Sequence, residues 1–335
     1  MKLSTYSFLF ILLASISFLS GCKKQTPKIG ILIHSYENAR WLKDKAYLVE
    51  DLTKQGAEVM IEVADNNQQK QIQQAQEMID KGAQVLIVVS INQDQAGQIV
   101  ELAHKKDVKV IAYDRLINGC QLDYYISANS TQIGGLMASY LTSLKPNGKY
   151  ALICGSKYDN NAMRLFIGQM NVLQPYMERG DIQVVYSEFT EAWTPAEGSL
   201  HTNNILDQNP DITAIIAGSD AITDGVLLTL KERGMEGKVL LTGQDAELDN
   251  VKDVMNGLQT CDILKPLKEM AQTTADLAVS LATTGKQPAA MKFTTESNGK
   301  ALVKSILIDA VVVNKDNIQT TVIASGFHTA AQVNQ

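Results

Sequence analysis

Regular alternation of strand-like and helix-like segments constrains the fold of this chain more than any other feature. From Lys28 onward, short runs rich in valine, isoleucine and leucine are separated by longer stretches in which apolar residues recur at helical spacing. The short runs are continuously apolar, which is typical of parallel strands that are covered by helices on both faces. We therefore predict an α/β fold built on doubly wound parallel sheets.

The predicted elements form two similar halves, and a chain of 335 residues is long enough to fold as two lobes. The strand patterns of the first half span residues 29–34, 57–63, 85–90, 108–113 and 124–127, and its helical patterns span 38–55, 68–81 and 93–106. The strand patterns of the second half span 149–154, 182–186, 214–217 and 239–242, and its helical patterns span 162–178, 197–207, 222–233 and 248–256. A further helix is predicted at 266–284 and a single late strand at 306–313.

Polar residues gather just after the predicted strands in both halves. Five such groups are His34-Ser35, Asp114-Arg115, Asp159-Asn160-Asn161, Ser219-Asp220 and Gln244-Asp245. In an open parallel sheet the carboxyl ends of the strands face the ligand crevice, so we expect a binding cleft there, between the two lobes. A carboxylate beside an arginine suits the vicinal hydroxyls of a sugar ring, while a surface ion pair is the alternative for Asp114 and Arg115.

Trp41 and Trp193 are the only tryptophans in the chain, and each lies beside polar motifs in a different half. An indole on each wall of a cleft can stack on the apolar faces of a pyranose ring and exclude water from it. The alternative is that they are two unrelated core aromatics. Their distribution, one to each half, favours the binding interpretation.

The N-terminal segment has the pattern of a secretory signal. Met1-Lys2 precedes an apolar stretch at 8–19 that is too short for a comfortable transmembrane helix. The stretch ends in Leu19-Ser20-Gly21-Cys22, which has the form of the bacterial lipobox, whose cysteine is lipidated. We therefore predict a signal peptide over residues 1–22 and a membrane anchor at Cys22 on the periplasmic side of the cell envelope. An ordinary signal peptide that ends near a cysteine is the alternative.

Charge and cysteine content narrow the remaining possibilities. The formal net charge is −6 and no block of lysine and arginine follows the N-terminus, which argues against nucleic-acid binding. Lipidation of Cys22 would leave Cys120, Cys154 and Cys261, an odd number that gives no complete disulfide framework. Cys154 ends an apolar run and is predicted to be a small buried hydrophobe, whereas a disulfide of Cys120 stays open.

Short motifs along almost the whole chain resemble those of the bacterial periplasmic sugar-binding proteins of type I fold. In chain order they are Lys28-Ile29-Gly30, Arg40-Trp41 with Lys43-Asp44, Ala112-Tyr113-Asp114-Arg115, Asp159-Asn160-Asn161-Ala162, Trp193 with Pro195, Gly243-Gln244-Asp245-Ala246, Lys265-Pro266, Asp309 with Val313-Asn314-Lys315, and Gly326-Phe327-His328. Any one of these motifs is weak, but the ordered set is highly specific.

The resemblance implies two lobes joined by three crossovers, with a sugar held between them. The expected lobes comprise residues 28–128 plus 262–306 and residues 129–261 plus 307–330. The resemblance also implies a monomeric receptor, without cofactor or metal, that closes about a hinge and delivers D-xylose or a similar aldopyranose to an ABC importer. The alternative is that a membrane sensor kinase or chemoreceptor recognises the closed, sugar-loaded form of the receptor.

The resemblance further implies which residues contact the sugar. These are Trp41, Asp114, Arg115, Asp159, Asn161, Trp193, Ser219, Asp245 and Lys265, with His34 and Arg40 as further candidates. Asp159 is alternatively the N-cap of the next helix, His34 a satisfied strand-end histidine, and Arg40 a brace for Trp41. Ser219 and His34-Ser35 stand where the D-xylose pattern has an asparagine and an acidic pair, which leaves the exact sugar open.

An enzyme is disfavoured because the expected catalytic motifs are missing. Paired aspartates in a cleft also suit glycoside hydrolysis, and a histidine near a serine suits acyl transfer. The sequence has no Gly-x-Ser-x-Gly elbow, no His-Glu-x-x-His motif and no Walker-type glycine-rich loop. A binding protein is therefore predicted, with a glycoside-processing enzyme as the weaker alternative.

Overall fold

The computed structural model describes residues 26–335, so the predicted signal peptide and Cys22 lie outside the described residues. The chain begins with β1 (Lys28–Ile33), α1 (Arg40–Lys54), β2 (Glu58–Val63), α2 (Gln68–Asp80), β3 (Val85–Val88), α3 (Gly97–His104), β4 (Lys109–Tyr113) and β5 (Tyr124–Ala128). It continues with α4 (Ser130–Leu144), β6 (Gly148–Ser156), α5 (Asn160–Glu178), β7 (Ile182–Thr190), α6 (Pro195–Gln208), β8 (Ala214–Ala217), α7 (Asp220–Glu232), β9 (Leu240–Thr242), α8 (Leu248–Asn256) and β10 (Asp262–Leu264). The last elements are α9 (Leu267–Thr284), β11 (Thr294–Ser297), β12 (Leu302–Ile308), β13 (Val311–Val313), a π-helical turn (Gln319–Ile323) and α10 (Ala330–Val333).

Two sheets define two lobes. The sheet of the first lobe has the strand order β11-β12-β5-β4-β3-β1-β2 and is parallel except for β11. The sheet of the second lobe has the order β7-β6-β8-β9 and is parallel throughout. β10 and β13 pair beside it, next to a parallel bridge between Thr242 of β9 and Cys261. The chain therefore passes between the lobes three times, after β5, after β10 and after β12.

The second and third passages between the lobes lie slightly later in the chain than the expected lobe boundaries. β10 stays paired beside the second sheet up to Leu264, and β12 stays paired with β5 of the first sheet up to Ile308. The expected boundaries after 261 and after 306 thus fall three and two residues before the chain changes sheet.

Helices cover both faces of each sheet. In β1, Ile29, Ile31 and Ile33 belong to an apolar cluster shared with α1 and α9, whereas Leu32 belongs to a cluster shared with α2 and α3. In the second lobe α4 and α5 pack on one face and α6 and α7 on the other. Because both faces are buried, neither face of a strand needs polar residues, and this accounts for the continuously apolar runs in the sequence.

Two helix pairs in the second lobe pack backbone to backbone through glycines. Gly134 of α4 and Gly168 of α5 each lie so close to the other helix that an added Cβ would come within 3.0 Å of a backbone carbonyl oxygen. Gly198 of α6 and Gly225 of α7 repeat this arrangement. A side chain at any of these four positions would therefore have to push a helix aside.

The last third of the chain departs from the sequence prediction. The single strand predicted at 306–313 is wrong, because β12 and β13 are separated by Asp309 and Ala310 where the chain leaves the first sheet. The sequence also does not predict β11, or α4 earlier in the chain. Cys120 and Cys154 are buried free thiols, so Cys154 lies as predicted, and Cys120 forms no disulfide with another cysteine of residues 26–335. Within residues 26–335, no helix has both the length and the apolar character needed to cross a membrane.

Candidate functional site

A small cavity lies in the cleft between the lobes, at the carboxyl ends of the strands. Its volume is about 20 Å³. Its wall comprises Asn38, Arg40, Trp41, Asp114, Arg115, Asp159, Asn161, Trp193, Ser219, Gln244, Asp245 and Lys265. This inner cavity thus brings together all the principal candidates from the sequence, together with Arg40.

Arg40, at the start of α1, joins three carboxylates. Its Nε lies 3.1 Å from Asp44 Oδ2, its Nη2 lies 2.8 Å from Asp114 Oδ2, and its Nη1 lies 3.0 Å from Asp245 Oδ1. Only 3% of the Arg40 side chain is exposed. Because Asp114 follows β4 of the first lobe and Asp245 follows β9 of the second, this guanidinium group links the two lobes across the cleft.

The charges around Arg40 stabilise one another in a buried environment. Burial alone would raise the pKa of Asp114, but Arg40 and Lys265 oppose this effect and bring the pKa down to about 2. Burial alone would lower the pKa of Arg40, but the surrounding carboxylates raise it well above its usual range. Lys265 Nζ lies 3.1 Å from Asp245 Oδ1 and adds a second cation on the same carboxylate. Asp114 and Arg40 are therefore both ionised at neutral pH.

The backbone of Asp114 is held in the left-handed region, with φ of 63°. Its N–H donates to Ile126 O at 2.8 Å, and its carbonyl oxygen accepts hydrogen bonds from Tyr125, Ser127 and Asn161. Aspartate enters this region more often than most residues, and such backbone outliers are typical of ligand sites. The hydrogen bonds on both sides of its peptide units fix the direction in which the Asp114 carboxylate points.

Arg115 is the second buried guanidinium group of the cleft. Its Nε lies 2.9 Å from Asp159 Oδ2 in the second lobe, its Nη1 donates to Ser90 O at 3.1 Å, and its Nη2 lies 3.3 Å from His34 Nε2. Because arginine can only donate, Nε2 of His34 must accept and the ring proton must be on Nδ1. Burial, followed by the charges of Arg115 and Arg40, holds the pKa of His34 well below its usual range, so the ring is neutral.

Two wall residues also cap helices. Asp159 caps α5 by accepting from Asn161 N at 3.0 Å, and its other oxygen makes the ion pair described above. Ser219 caps α7 by accepting from Ile222 N at 3.4 Å. Asn161 Nδ2 donates to Asp114 Oδ1 at 3.2 Å across the cleft. Asp159 and Ser219 can each cap a helix and also line the cavity, because the N-termini of α5 and α7 face the cleft.

Trp41 and Trp193 line the inner cavity from opposite lobes. Trp41 is 2% exposed, and the guanidinium carbon of Arg40 lies 4.3 Å from the centre of its ring, so Arg40 braces Trp41 as well as binding carboxylates. The indole of Trp193 lies against Gly155, where φ is +94° and an added Cβ would come within 3.0 Å of the ring. Neither indole N–H has a hydrogen-bond partner among the described residues.

The charge of the inner cavity is balanced. Three carboxylates and three cations line it, namely Asp114, Asp159 and Asp245 with Arg40, Arg115 and Lys265. The carboxylates can accept hydrogen bonds, the cations can donate them, and the amide of Asn161 can do both. Such a wall suits an uncharged ligand that is rich in hydroxyl groups.

A larger cavity of about 190 Å³ adjoins the inner cavity. Three residues line both, namely Asn38, Arg115 and Trp193. The rest of the wall of this outer cavity comprises His34, Ser35, Glu37, Asn66, Ile91, Ser156, Tyr158, Glu191 and Ala192. Of the candidates from the sequence, His34 therefore lies in the outer cavity and not in the inner one.

A buried pair of carboxyl groups near Asp245 is not predicted from the sequence. Asp220 and Asp262 are both fully buried, and Asp220 Oδ1 and Asp262 Oδ2 have no hydrogen-bond donor among the described residues. Asp220 Oδ2 also accepts from Glu247 N at 2.8 Å, and Asp262 Oδ1 accepts from Ile263 N at 2.6 Å. Burial, followed by the charges of Asp262 and Asp245, raises the pKa of Asp220 well above its usual range, and burial raises that of Asp262 to about 7. The pair therefore holds a proton well above the pH at which an exposed carboxyl loses it.

The free energy of unfolding is expected to fall by about 2–3 kcal/mol between about pH 5 and pH 8 because of this pair. A carboxyl whose pKa is raised in the folded state binds its proton more tightly there than in the unfolded chain. The folded state therefore loses stability as the pH rises and that proton leaves. In Asp262→Asn the amide can donate to Asp220 but has no proton to lose, so urea unfolding of the ligand-free variant should depend less on pH over this range.

The matched control is Asp211→Asn. Asp211 is exposed, and its hydrogen bond and ion pair with Lys149 lower its pKa, so it titrates below this range. A pH dependence in Asp262→Asn equal to that of the unaltered protein would contradict the shared proton.

The structure also adds residues to the cleft that sequence reasoning does not assign. Asn38 and Gln244 line the inner cavity, and Gln244 Nε2 donates to Gly218 O at 2.6 Å. Asp44 supports Arg40 from behind and accepts from Tyr113 OH at 2.5 Å. Two sequence signals exist for Asp44: its place in the motif of Arg40-Trp41 with Lys43-Asp44, and its four-residue spacing from Arg40, which places both side chains on one face of a helix.

Two parallel α/β lobes with a polar cleft at the strand ends define a ligand-binding protein of the type I periplasmic class. The chain belongs to the periplasmic binding protein domain family, whose pattern matches residues 29–287. This family membership confirms the predicted fold class and the prediction of a binding protein.

Individual relatives are similar over nearly their whole length. The chain is 37% identical to the D-xylose-binding periplasmic protein of Escherichia coli (strain K12), over 91% of this chain and 92% of that protein. It is 35% identical to the D-xylose-binding periplasmic protein of Haemophilus influenzae, over 94% and 95%. A solved structure from Chloroflexus aurantiacus, a carbohydrate transporter solute binding protein in complex with D-glucose, matches with a TM-score of 0.85 at 26% identity, over 92% of this chain and 98% of that one.

Proposed function

We propose that the protein is an extracytoplasmic receptor for D-xylose or a similar aldopyranose. The two relatives named for D-xylose binding support this ligand class, and so does the solved relative that holds D-glucose. Because Ser219 and His34 depart from the D-xylose pattern, the proposal covers closely related aldopyranoses as well as D-xylose.

One observation carries the proposal: both indoles of the chain and a balanced set of charges line the same cavity from opposite lobes. A pyranose has apolar faces that stack on aromatic rings and an edge of hydroxyls that need acceptors and donors. Trp41 and Trp193 provide the flat surfaces. Asp114 and Asp245 provide acceptors, and Lys265 provides a donor.

We propose further that the two lobes open and close about the three segments that connect them, after β5, after β10 and after β12. The inner cavity of about 20 Å³ holds roughly one water. A sugar can therefore enter only when the lobes and the Arg40 side chain move apart. On closure its hydroxyls would take over part of the contacts that Arg40 now makes with Asp114 and Asp245.

The proposed receptor delivers its sugar to an ABC importer and is tethered through a lipid at Cys22. A second solved relative, an ABC transporter solute binding protein from Clostridium phytofermentans with bound β-D-glucose, supports the importer with a TM-score of 0.84 and 26% identity over 91% of this chain and 99% of that one. The tether is supported by Leu19-Ser20-Gly21-Cys22 in the sequence. We propose that the receptor acts as a monomer.

A thermal-shift panel of monosaccharides tests the proposal. D-xylose or a similar aldopyranose is expected to raise the melting temperature by about 5 °C at a concentration about 100 times its Kd, because a ligand that binds only the folded state stabilises it by mass action. Xylitol is the matched control. It has the same configuration as D-xylose at C2, C3 and C4 but has no ring to stack on the two indoles, so we expect no comparable shift. A panel in which no aldopyranose raises the melting temperature would refute the proposal.

A further inference from the structure

The outer cavity extends the cleft beyond the space that lies between the two indoles. Its volume of about 190 Å³ is far larger than the 20 Å³ of the inner cavity. The two cavities share Asn38, Arg115 and Trp193, so these side chains stand between them and a ligand that reaches from one cavity into the other has to pass between these residues. A hydroxyl group needs only the volume of about one water, so this space exceeds what a single ring substituent requires.

The wall of the outer cavity is chemically similar to a sugar site. Tyr158 is 43% exposed, its hydroxyl donates to Glu191 Oε2 at 3.2 Å, and it lines the same cavity as Trp193. Two aromatic side chains in one wall offer surfaces for a second pyranose ring. Ser35 and Asn66 add polar groups that can bind hydroxyls.

His34 adds a donor that the protein itself does not satisfy. The side chain is 5% exposed, and its Nδ1, which carries the ring proton, has no hydrogen-bond partner among the described residues. A buried donor without an acceptor is costly, and because Nδ1 is closed off from the cavity in this conformation, a ligand oxygen could remove that cost only after the ring or the lobes move. The neutral ring suits a hydroxyl or a glycosidic oxygen and does not require an anion.

We propose that the outer cavity is a second sugar subsite, so that the protein binds a neutral disaccharide whose first ring lies in the inner cavity and whose second ring lies in the outer one. This inference rests on the proposed function of the inner cavity. It deepens that proposal by extending the ligand class from monosaccharides to disaccharides.

Isothermal titration of the purified full chain with matched sugar pairs tests the inference. The pairs are D-xylose with β-1,4-xylobiose and D-glucose with cellobiose. Each disaccharide is compared with its own monosaccharide, so the comparison does not depend on which sugar the inner cavity prefers. For the preferred sugar, the disaccharide is expected to bind at least as tightly as the monosaccharide.

Two variants locate the second ring. Ala192 is exposed and lines only the outer cavity, so Ala192→Trp should fill that cavity and lower the ratio of disaccharide to monosaccharide affinity by about tenfold. Tyr158→Ala removes one aromatic surface and should lower the same ratio. Ala196→Trp is the matched control, because Ala196 is exposed nearby but lines neither cavity and should change neither affinity.

The outcomes separate this inference from the proposed function. Tight binding of the monosaccharide with no binding of its disaccharide would overturn the second subsite and leave the receptor proposal intact. An unchanged affinity ratio in both Ala192→Trp and Tyr158→Ala would also overturn it. If neither sugar of either pair binds, the receptor proposal fails and the second subsite fails with it.

Discussion

Replacing Arg40 with methionine is expected to lower the free energy of unfolding by about 3–5 kcal/mol at neutral pH and to abolish measurable sugar binding. The substitution keeps most of the buried hydrocarbon stem but removes the cation that, among the described residues, alone contacts Asp44, Asp114 and Asp245 together. Those carboxylates would then be buried without their main counter-charge. Breaking a buried ion pair by removing one partner costs far more than the pair itself contributes.

The pH dependence of this variant provides a second signature. Without Arg40, the carboxyl of Asp114 loses the group that holds its pKa near 2, so it takes up a proton more readily. The loss of stability measured by urea unfolding should therefore be smaller at about pH 4 than at about pH 7. Arg179→Met is the control, because Arg179 forms an exposed ion pair with Asp181 and should cost less than about 1 kcal/mol. A cost for Arg40→Met that is no larger than this would contradict the central role of Arg40.

The Trp193→Ala variant is expected to lose at least about tenfold in sugar affinity while its unfolding free energy changes little. Trp193 is only partly buried, so its removal opens no large cavity in a core, but it removes one of the two flat walls of the inner cavity. Trp193→Phe keeps a ring of smaller area and should lose less affinity. Titration calorimetry gives the affinities, and urea unfolding gives the stabilities.

Tyr186→Ala is the matched control for this experiment. Tyr186 is a partly buried aromatic residue of the same lobe that lines neither cavity, so its affinity for the sugar should stay within about twofold of the original. An unaltered affinity in Trp193→Ala would count directly against a sugar held between two indoles.

The architecture follows from the sequence wherever a strand is covered on both faces. Val85–Val88 and Ala214–Ala217 are wholly apolar and lie in the middle of their sheets, so pattern and burial agree. Helix α4 escapes prediction because glycine, serine and threonine interrupt its apolar residues. Its glycines allow close contact with α5, and a periodic hydropathy pattern does not reveal such a contact. The prediction of a single strand at 306–313 is wrong because the strand is interrupted at Asp309, where the chain passes from the first lobe to the second.

The identity of the cleft residues is also largely predictable, because parallel strands bring their carboxyl ends to one edge of a sheet. The partnerships among them are not. Asp114 and Asp245 lie 74 and 205 positions from Arg40 in the chain, and only the folded arrangement brings both to one guanidinium group. The same holds for Asp220 and Asp262, whose shared proton depends on how deeply both are buried.

The glycine-mediated contacts between helices have a mechanical consequence. Because α4 touches α5, and α6 touches α7, through main-chain atoms at these glycines, the paired helices cannot move closer together at those points. The second lobe should therefore move as a rigid body, with its rotation concentrated in the three segments that connect the lobes. A small movement of the second lobe around the bound sugar would therefore also move the outer surface of that lobe, where a transport or signalling partner could detect it.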